Sequence, residues 1–297
     1  MIEKNRPNDF DQRRITFAGA HGLTIAGTAV GPADGLPVIL SHGGGQTRYA
    51  WGRTAHSLAE LGFLAISLDL RGHGESGWMS SGLYVIEDYA EDLRLFSATL
   101  DRPPILVGAS LGGIASLLAA GEPDYAPISG LCLVDVSPHL KSDGVAGILG
   151  FMRETSKGFD TPEQAADAIA AYVPHRPRPT DIEGLRKNLR EGEDGRFYWH
   201  WDPQTIAKPL EPERTSKRLE QAAAHIDAPA LLLRGELSEL VTADVAKNFM
   251  ALFNRGATVD IPGARHMVAG DRNDLFGREL IAFAENIRNE RTGDVGQ

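Results

Sequence analysis

The chain has 297 residues, 42% of them hydrophobic, one cysteine and a formal charge of −10. That length holds one large domain, or one domain with an insertion, and the acidic balance argues against nucleic acid or an anionic membrane surface as the main partner. The single Cys132 excludes an internal disulfide framework and fits a reducing, cytoplasmic setting. Cys132 lies inside the apolar run 130–134 and reads as a small buried hydrophobe rather than a nucleophile.

In chain order, residues 1–12 are polar and read as a loose tail without the apolar core of a signal peptide. No apolar stretch approaches the roughly 20 residues a membrane helix needs. Residues 13–18 and 23–30 read as a β-hairpin joined by Gly19-Ala20-His21-Gly22. A short buried strand at 37–41 leads through His42-Gly43-Gly44-Gly45 into a helix at 49–61, which ends on Gly62. The strand 63–68 runs into Asp69-Leu70-Arg71-Gly72-His73-Gly74-Glu75-Ser76. Tyr89, Leu93, Phe96 and Leu100 recur at helical spacing over 86–100. Then comes Ile105-Leu106-Val107, a strand, followed by Gly108-Ala109-Ser110-Leu111-Gly112 and a small-residue helix. A further strand spans 131–136. From 138 to about 225 the pattern turns helical and proline-rich, with the dense aromatic stretch Phe197-Tyr198-Trp199-His200-Trp201 and no strand expected. So long an interlude is more than a connection. Regular alternation resumes with strands at 230–234 and 257–261 and helices at 243–252 and 274–287.

Strands alternating with helices imply an α/β fold with a mostly parallel sheet of about eight strands, flanked by helices on both faces. The domain boundaries expected are a core of 1–137 and 226–297, with 138–225 inserted as a helical cap between late strands.

Gly-x-Ser-x-Gly at a strand-to-helix turn reads as a nucleophile elbow, a sharp bend that pushes Ser110 out at a helix N-terminus. The flanking glycines avoid a collision that any Cβ would make in so tight a turn. Serine is a weak nucleophile at neutral pH, so a base must take its proton during attack. The glycine run at 43–45 lacks the lysine–serine pair of a phosphate-binding loop.

Together these residues resemble the α/β-hydrolase family. The resemblance rests on four motifs in order: His42 to Gly45 as an oxyanion loop, Asp69 to Ser76 as the turn after the next strand, Gly108 to Gly112 as the elbow, and Gly263-Ala264-Arg265-His266-Met267 as the loop carrying a catalytic histidine. It implies a serine hydrolase acting on a carboxylic ester of a small molecule through an acyl-enzyme intermediate. Ser110 is then the nucleophile and His266 the base, among nine histidines. His42 would order the glycine loop, His73 would be structural and His200 would contact the cap. Oxyanion donors are expected from the N–H groups of Leu111 and Gly44, with Gly45 as second choice. Glu239 is the expected triad acid, because the family commonly draws it from the loop after the strand 230–234; Asp135, after the preceding strand, and Glu236 are its rivals. Ser110 in place of the aspartate of dehalogenases and epoxide hydrolases favours acyl transfer. A C–C bond hydrolase, a cofactor-free perhydrolase or haloperoxidase, and a non-catalytic ligand receptor are the alternatives.

No metal or organic cofactor is implied. A homodimer is left open. The aromatics Tyr172, Phe197, Tyr198, Trp199 and Trp201, with Trp51 and Met267, either line an acyl or alcohol pocket or fasten the cap. Arg153, Arg176, Arg178 and Arg190 are carboxylate partners or solvated cap residues.

Overall fold

The computed structural model describes residues 11–122, 127–207, 212–268 and 273–293. The expected tail falls almost wholly outside these residues, as does Pro209 of the insertion.

β1 (Arg13–Ala18) and β2 (Thr24–Val30) form the expected antiparallel hairpin, turning at a 3-10 segment, Ala20–Gly22. β3 (Pro37–Ser41) is followed by α1 (Gly52–Glu60), β4 (Leu64–Leu68) by α2 (Ile86–Ser97), and β5 (Ile105–Ala109) by α3 (Leu111–Gly121). After β6 (Gly130–Val134) the chain leaves the sheet for α4 (Ser142–Thr155), α5 (Pro162–Tyr172), α6 (Ile182–Arg186), the strand pair β7 (Leu189–Glu191) and β8 (Phe197–Trp199), and α7 (Pro212–Ala224). It returns with β9 (Ala230–Gly235), α8 (Ala243–Met250), β10 (Gly256–Ile261) and α9 (Asn273–Thr292).

The eight-stranded sheet runs β1-β2-β4-β3-β5-β6-β9-β10. β2 meets β4 antiparallel, and every pair from β4 onward is parallel. The parallel strands β3, β4, β5, β6 and β9 are near-continuous apolar runs because both faces are covered, whereas the edge strand β10 is largely exposed. Alternate residues divide between two cores. Ile39, Leu106, Leu131, Leu133 and Leu232 pack with α2, α3, α7 and α8. Val38, Leu40, Val107, Cys132 and Leu233 pack with α1 and α9. Cys132 is fully buried, as its apolar run implies, and burial pushes its thiol ionisation upward.

The insertion contains a strand pair that helical periodicity did not anticipate: Arg190 faces Tyr198 across β7 and β8. Phe159 bridges to Phe197 with backbone bonds of 2.7 and 2.8 Å. Three-residue strands carry too little alternation to be read from sequence. The insertion has its own core of Met152, Phe159, Leu185, Trp199 and Trp201, with Phe159 set edge-on to Trp199. It is fastened to the sheet domain by polar contacts. Gly74 N–H donates to the His200 carbonyl (2.6 Å), Asp202 N–H to the Gly72 carbonyl (2.7 Å) and Thr47 Oγ1 to Asn188 Oδ1 (2.6 Å).

Candidate active site

In a parallel sheet with right-handed crossovers, the loops after the strands all open at the same end. That end gathers the loops after β3, β5, β6, β9 and β10, and with them every residue expected to carry chemistry.

Ser110 joins β5 to α3 at φ +46°, ψ −114°, a conformation that non-glycine residues rarely adopt and that costs of order 1–3 kcal/mol. The bend survives because glycines flank it. A Cβ on Gly108 would fall on the Gly112 carbonyl carbon, and one on Gly112 on the Ser41 and His42 carbonyls. Asp135, one residue beyond β6, is the neighbouring strained residue, also at φ +46°. Strain at the ends of two adjacent central strands marks the place where side chains are aimed rather than merely packed.

His266 Nδ1 lies 2.8 Å from Asp135 Oδ2. A carboxylate only accepts, so Nδ1 carries the proton and Nε2 is left as the basic nitrogen. The Asp135 side chain is fully buried. Its Oδ1 accepts from Gly235 N–H (3.1 Å), and its Oδ2 also accepts from Ser238 Oγ (2.6 Å). Ser238 Oγ in turn receives the N–H groups of Leu240 and Val241, both at 3.1 Å. With two donors pointing at the oxygen, its one proton is left for Asp135.

The expected partnership of Glu239 with His266 is therefore corrected. Glu239 is half exposed and forms an ion pair with Arg265, while His266 is held by Asp135. Glu236, the other rival, accepts the Gly263 N–H (2.9 Å) and pins the loop that carries His266. After β9 the chain turns on Ser238, so the residue facing inward is a serine, and the carboxylate comes from the next strand over. The missed signal was the hydroxyl itself, since only the fold brings residues 135 and 238 together.

The loop after β3 is ordered by two buried histidines, consistent with the roles expected for His42 and His73. His42 Nε2 accepts from Leu70 N–H (3.0 Å) and its Nδ1 donates to the Gly43 carbonyl (2.8 Å). His73 Nε2 accepts from Gly45 N–H (3.1 Å) and its Nδ1 donates to the Arg71 carbonyl (3.0 Å). Each must be neutral to accept an amide proton. Burial holds His42 down to about 4 and His73 to about 3. These bonds occupy Gly45, and Gly43 N–H is spent on Gln46 Oε1 (3.1 Å). Among the described residues, the N–H groups of Gly44 and Leu111 have no partner. The two residues sit together, since a Cβ on Gly44 would lie 3.9 Å from Leu111 Cδ2 and one on Gly43 3.5 Å from Ser110 Cβ.

Ser110, Leu111, Gly44 and His266 all line one cavity of about 1790 Å³ between the sheet domain and the insertion. Of the aromatics considered from sequence, Trp51, Tyr172, Trp199 and Trp201 line it, together with Met267. Phe197 and Tyr198 do not; Arg186 lies over the Phe197 ring, and the Tyr198 hydroxyl donates to Asp194 (2.6 Å). Of the four arginines, Arg176 lines the cavity, bonded to the Met267 carbonyl (2.9 Å). His200 lies outside the lining. Among the described residues no group of three or more His, Cys, Asp or Glu side chains is placed to hold a metal ion, and no helix is long and apolar enough to cross a membrane.

Residues 38–279 match the alpha/beta hydrolase family. Among curated proteins, an esterase of Mycobacterium tuberculosis is 29% identical over 271 residues, covering 86% of this chain and 83% of that protein. A non-heme chloroperoxidase of Burkholderia pyrrocinia is 27% identical, covering 86% and 94%. Among solved structures, E-2-(acetamidomethylene)succinate hydrolase superposes with a TM-score of 0.78 at 24% identity, over 93% of this chain and 99% of that one, a likeness of fold. The M. tuberculosis esterase superposes with a TM-score of 0.73 at 26% identity, over 94% and 92%.

Proposed function

The chain belongs to the alpha/beta hydrolase family, and we propose that this hydrolase is a serine enzyme that cleaves a carboxylic ester of a small molecule through an acyl-enzyme. The observation that carries the reading is the buried Asp135 carboxylate on His266 Nδ1, in a cavity that the strained Ser110 shares. In this reading Ser110 Oγ attacks the ester carbonyl while His266 Nε2 takes its proton, and the carbonyl electron pair moves onto oxygen. The Gly44 and Leu111 N–H groups receive that oxyanion; one such donor is typically worth about 3 kcal/mol. Collapse of the intermediate expels the alcohol, which leaves with the proton from His266. Water, deprotonated by His266, then attacks the acyl-enzyme and releases the acid. Asp135 keeps the imidazole in one tautomer and stabilises its cationic form. Residues 138–225 act as the cap that closes the site.

A fluorophosphonate probe tests this directly. Rapid labelling at Ser110, lost in His266→Ala, is the expected result. Absence of labelling in well-folded protein would instead mark a ligand-binding member of the family. The likeness to a chloroperoxidase supports a second acyl acceptor at the same site: with hydrogen peroxide replacing water, the acyl-enzyme would yield a peracid. A peracid trap during ester turnover measures it.

A further inference from the structure

Resting on that reading, the cavity itself restricts which esters fit. Its deeply buried lining is mostly aromatic or aliphatic, with Trp51, Tyr89, Ile114, Met152, Trp199 and Trp201, and has His73 and Ser137 among its polar members. Its ionisable side chains are spoken for. His266 is on Asp135, His73 on Gly45 and Arg71, His139 on Glu220 (2.7 Å) and Arg176 on the Met267 carbonyl. Arg53, Lys187 and Lys217 are exposed to solvent. A substrate carboxylate drawn into the apolar part would lose its hydration with no lysine or arginine in the buried lining to pair with it.

Several donors on residues of that lining are unspent: the Gly44 and Leu111 N–H groups, the indole N–H groups of Trp51 and Trp199, and the Tyr89 hydroxyl. Tyr89, on α2, is 3% exposed, yet its hydroxyl has no hydrogen-bond partner among the described residues. Its neighbour Tyr84, with ring centroids 6.4 Å apart, is fully used: the Tyr84 hydroxyl donates to Asp202 Oδ2 (2.6 Å) and accepts from Met79 N–H (2.9 Å). A hydroxyl on a cavity wall without a protein partner takes one from whatever fills the cavity. Burial, reinforced by Tyr84, pushes the Tyr89 ionisation upward, so the group stays a donor. Tyr89 lies on the nucleophile's side of the cavity, because α2 packs on α3 and Ile114 is one turn along α3 from Ser110.

We propose that the substrate is an uncharged ester with a bulky apolar portion carrying one hydrogen-bond acceptor, a carbonyl or ether oxygen, that takes the Tyr89 O–H. Two matched series of nitrophenyl or alkyl esters test it, one varied in the acyl chain and one in the alcohol. Each series compares a plain alkyl end, the same chain ending in a methyl ketone, and the same chain ending in a carboxylate, over several lengths. In at least one series the ketone should exceed the plain chain in kcat/KM by about tenfold, the worth of one buried hydrogen bond. The carboxylate should fall below the ketone by about a hundredfold or more, an unpaired buried charge being the costlier defect. In Tyr89→Phe the ketone-to-alkyl ratio should collapse toward one. Carboxylate esters matching the ketones would overturn the proposal, as would a ketone preference absent from both series or unaltered in Tyr89→Phe. Fluorophosphonate labelling of the same preparations separates the two readings. Unlabelled Ser110 would remove the hydrolase reading, whereas labelled protein with the wrong preferences would remove only this one.

Discussion

The corner where the parallel strands end and the insertion above it are built by opposite rules. At the corner nearly every polar atom is committed: Asp135 accepts three hydrogen bonds, Ser238 makes three, and the two loop histidines spend both nitrogens. The insertion offers the cavity a wall of Trp199, Trp201 and Met152, drawn from its own small core. The first arrangement tolerates little change, because each group is placed by a second and third. The second can be reshaped, because apolar packing specifies volume more than direction.

The contrast can be broken at several points. Asp135→Ala should have the largest effect, lowering kcat on the order of a thousandfold or more, since the imidazole loses both its tautomer and its counter-charge. Glu239→Ala serves as the control in the same steady-state assay. A larger loss in Glu239→Ala than in Asp135→Ala would return the acid role to the loop after β9. Next, Trp199→Ala should cost about 3–5 kcal/mol by denaturant unfolding, as expected for emptying a buried aromatic site. It should also broaden ester selectivity while Ser110 still labels. Loss of labelling in folded protein would show that the insertion also shapes the corner.

Ser238→Ala should lower kcat by about ten- to a hundredfold with little change in KM, the worth of one hydrogen bond to a charged acceptor. Ser238→Thr should recover part of it. A change confined to KM would remove the positioning role.

The histidines of the glycine loop give a smaller, graded effect. Unfolded imidazoles take up protons near 6.5, while folded His42 and His73 stay neutral down to about 4 and about 3. Below pH 6.5 the unfolded state therefore binds more protons, and stability falls as pH falls, by up to about 1.4 kcal/mol per pH unit for each histidine. Chemical unfolding between pH 7 and 5 measures the slope, and His73→Gln should flatten it. An unchanged slope in that variant would remove His73 as a source. Smallest of all, Glu239→Ala should alter stability by less than about 1 kcal/mol, because the pair it breaks with Arg265 is half exposed.

The central strands of the sheet were readable because strands buried on both faces must be apolar throughout, and those between helices must be short; the more exposed edge strands β1 and β10 were readable from the turns and helices that bound them. The elbow was readable because its glycines are demanded by backbone collisions only a few residues away. The small strand pair of the insertion was not, since three residues carry no usable period. The aromatic stretch 197–201 fixed only that some rings would be buried; alternation puts Phe197 and Trp199 on one face of β8, where Trp199 is buried to 8% exposure and Phe197 packs partly exposed against the same core, and puts Tyr198 on the other.

By itself, the order of residues determined the sheet, the strained serine, the histidine loop and the glycine loop, because each depends on neighbours close along the chain. Which carboxylate meets His266 was decided only in three dimensions. Asp135 and Glu239 both follow strand ends, and what separates them is the lateral order of β6, β9 and β10 together with the inward turn at Ser238. Those contacts span about a hundred residues or more, 103 from Asp135 to Ser238 and 131 from Asp135 to His266, and no local pattern encodes them.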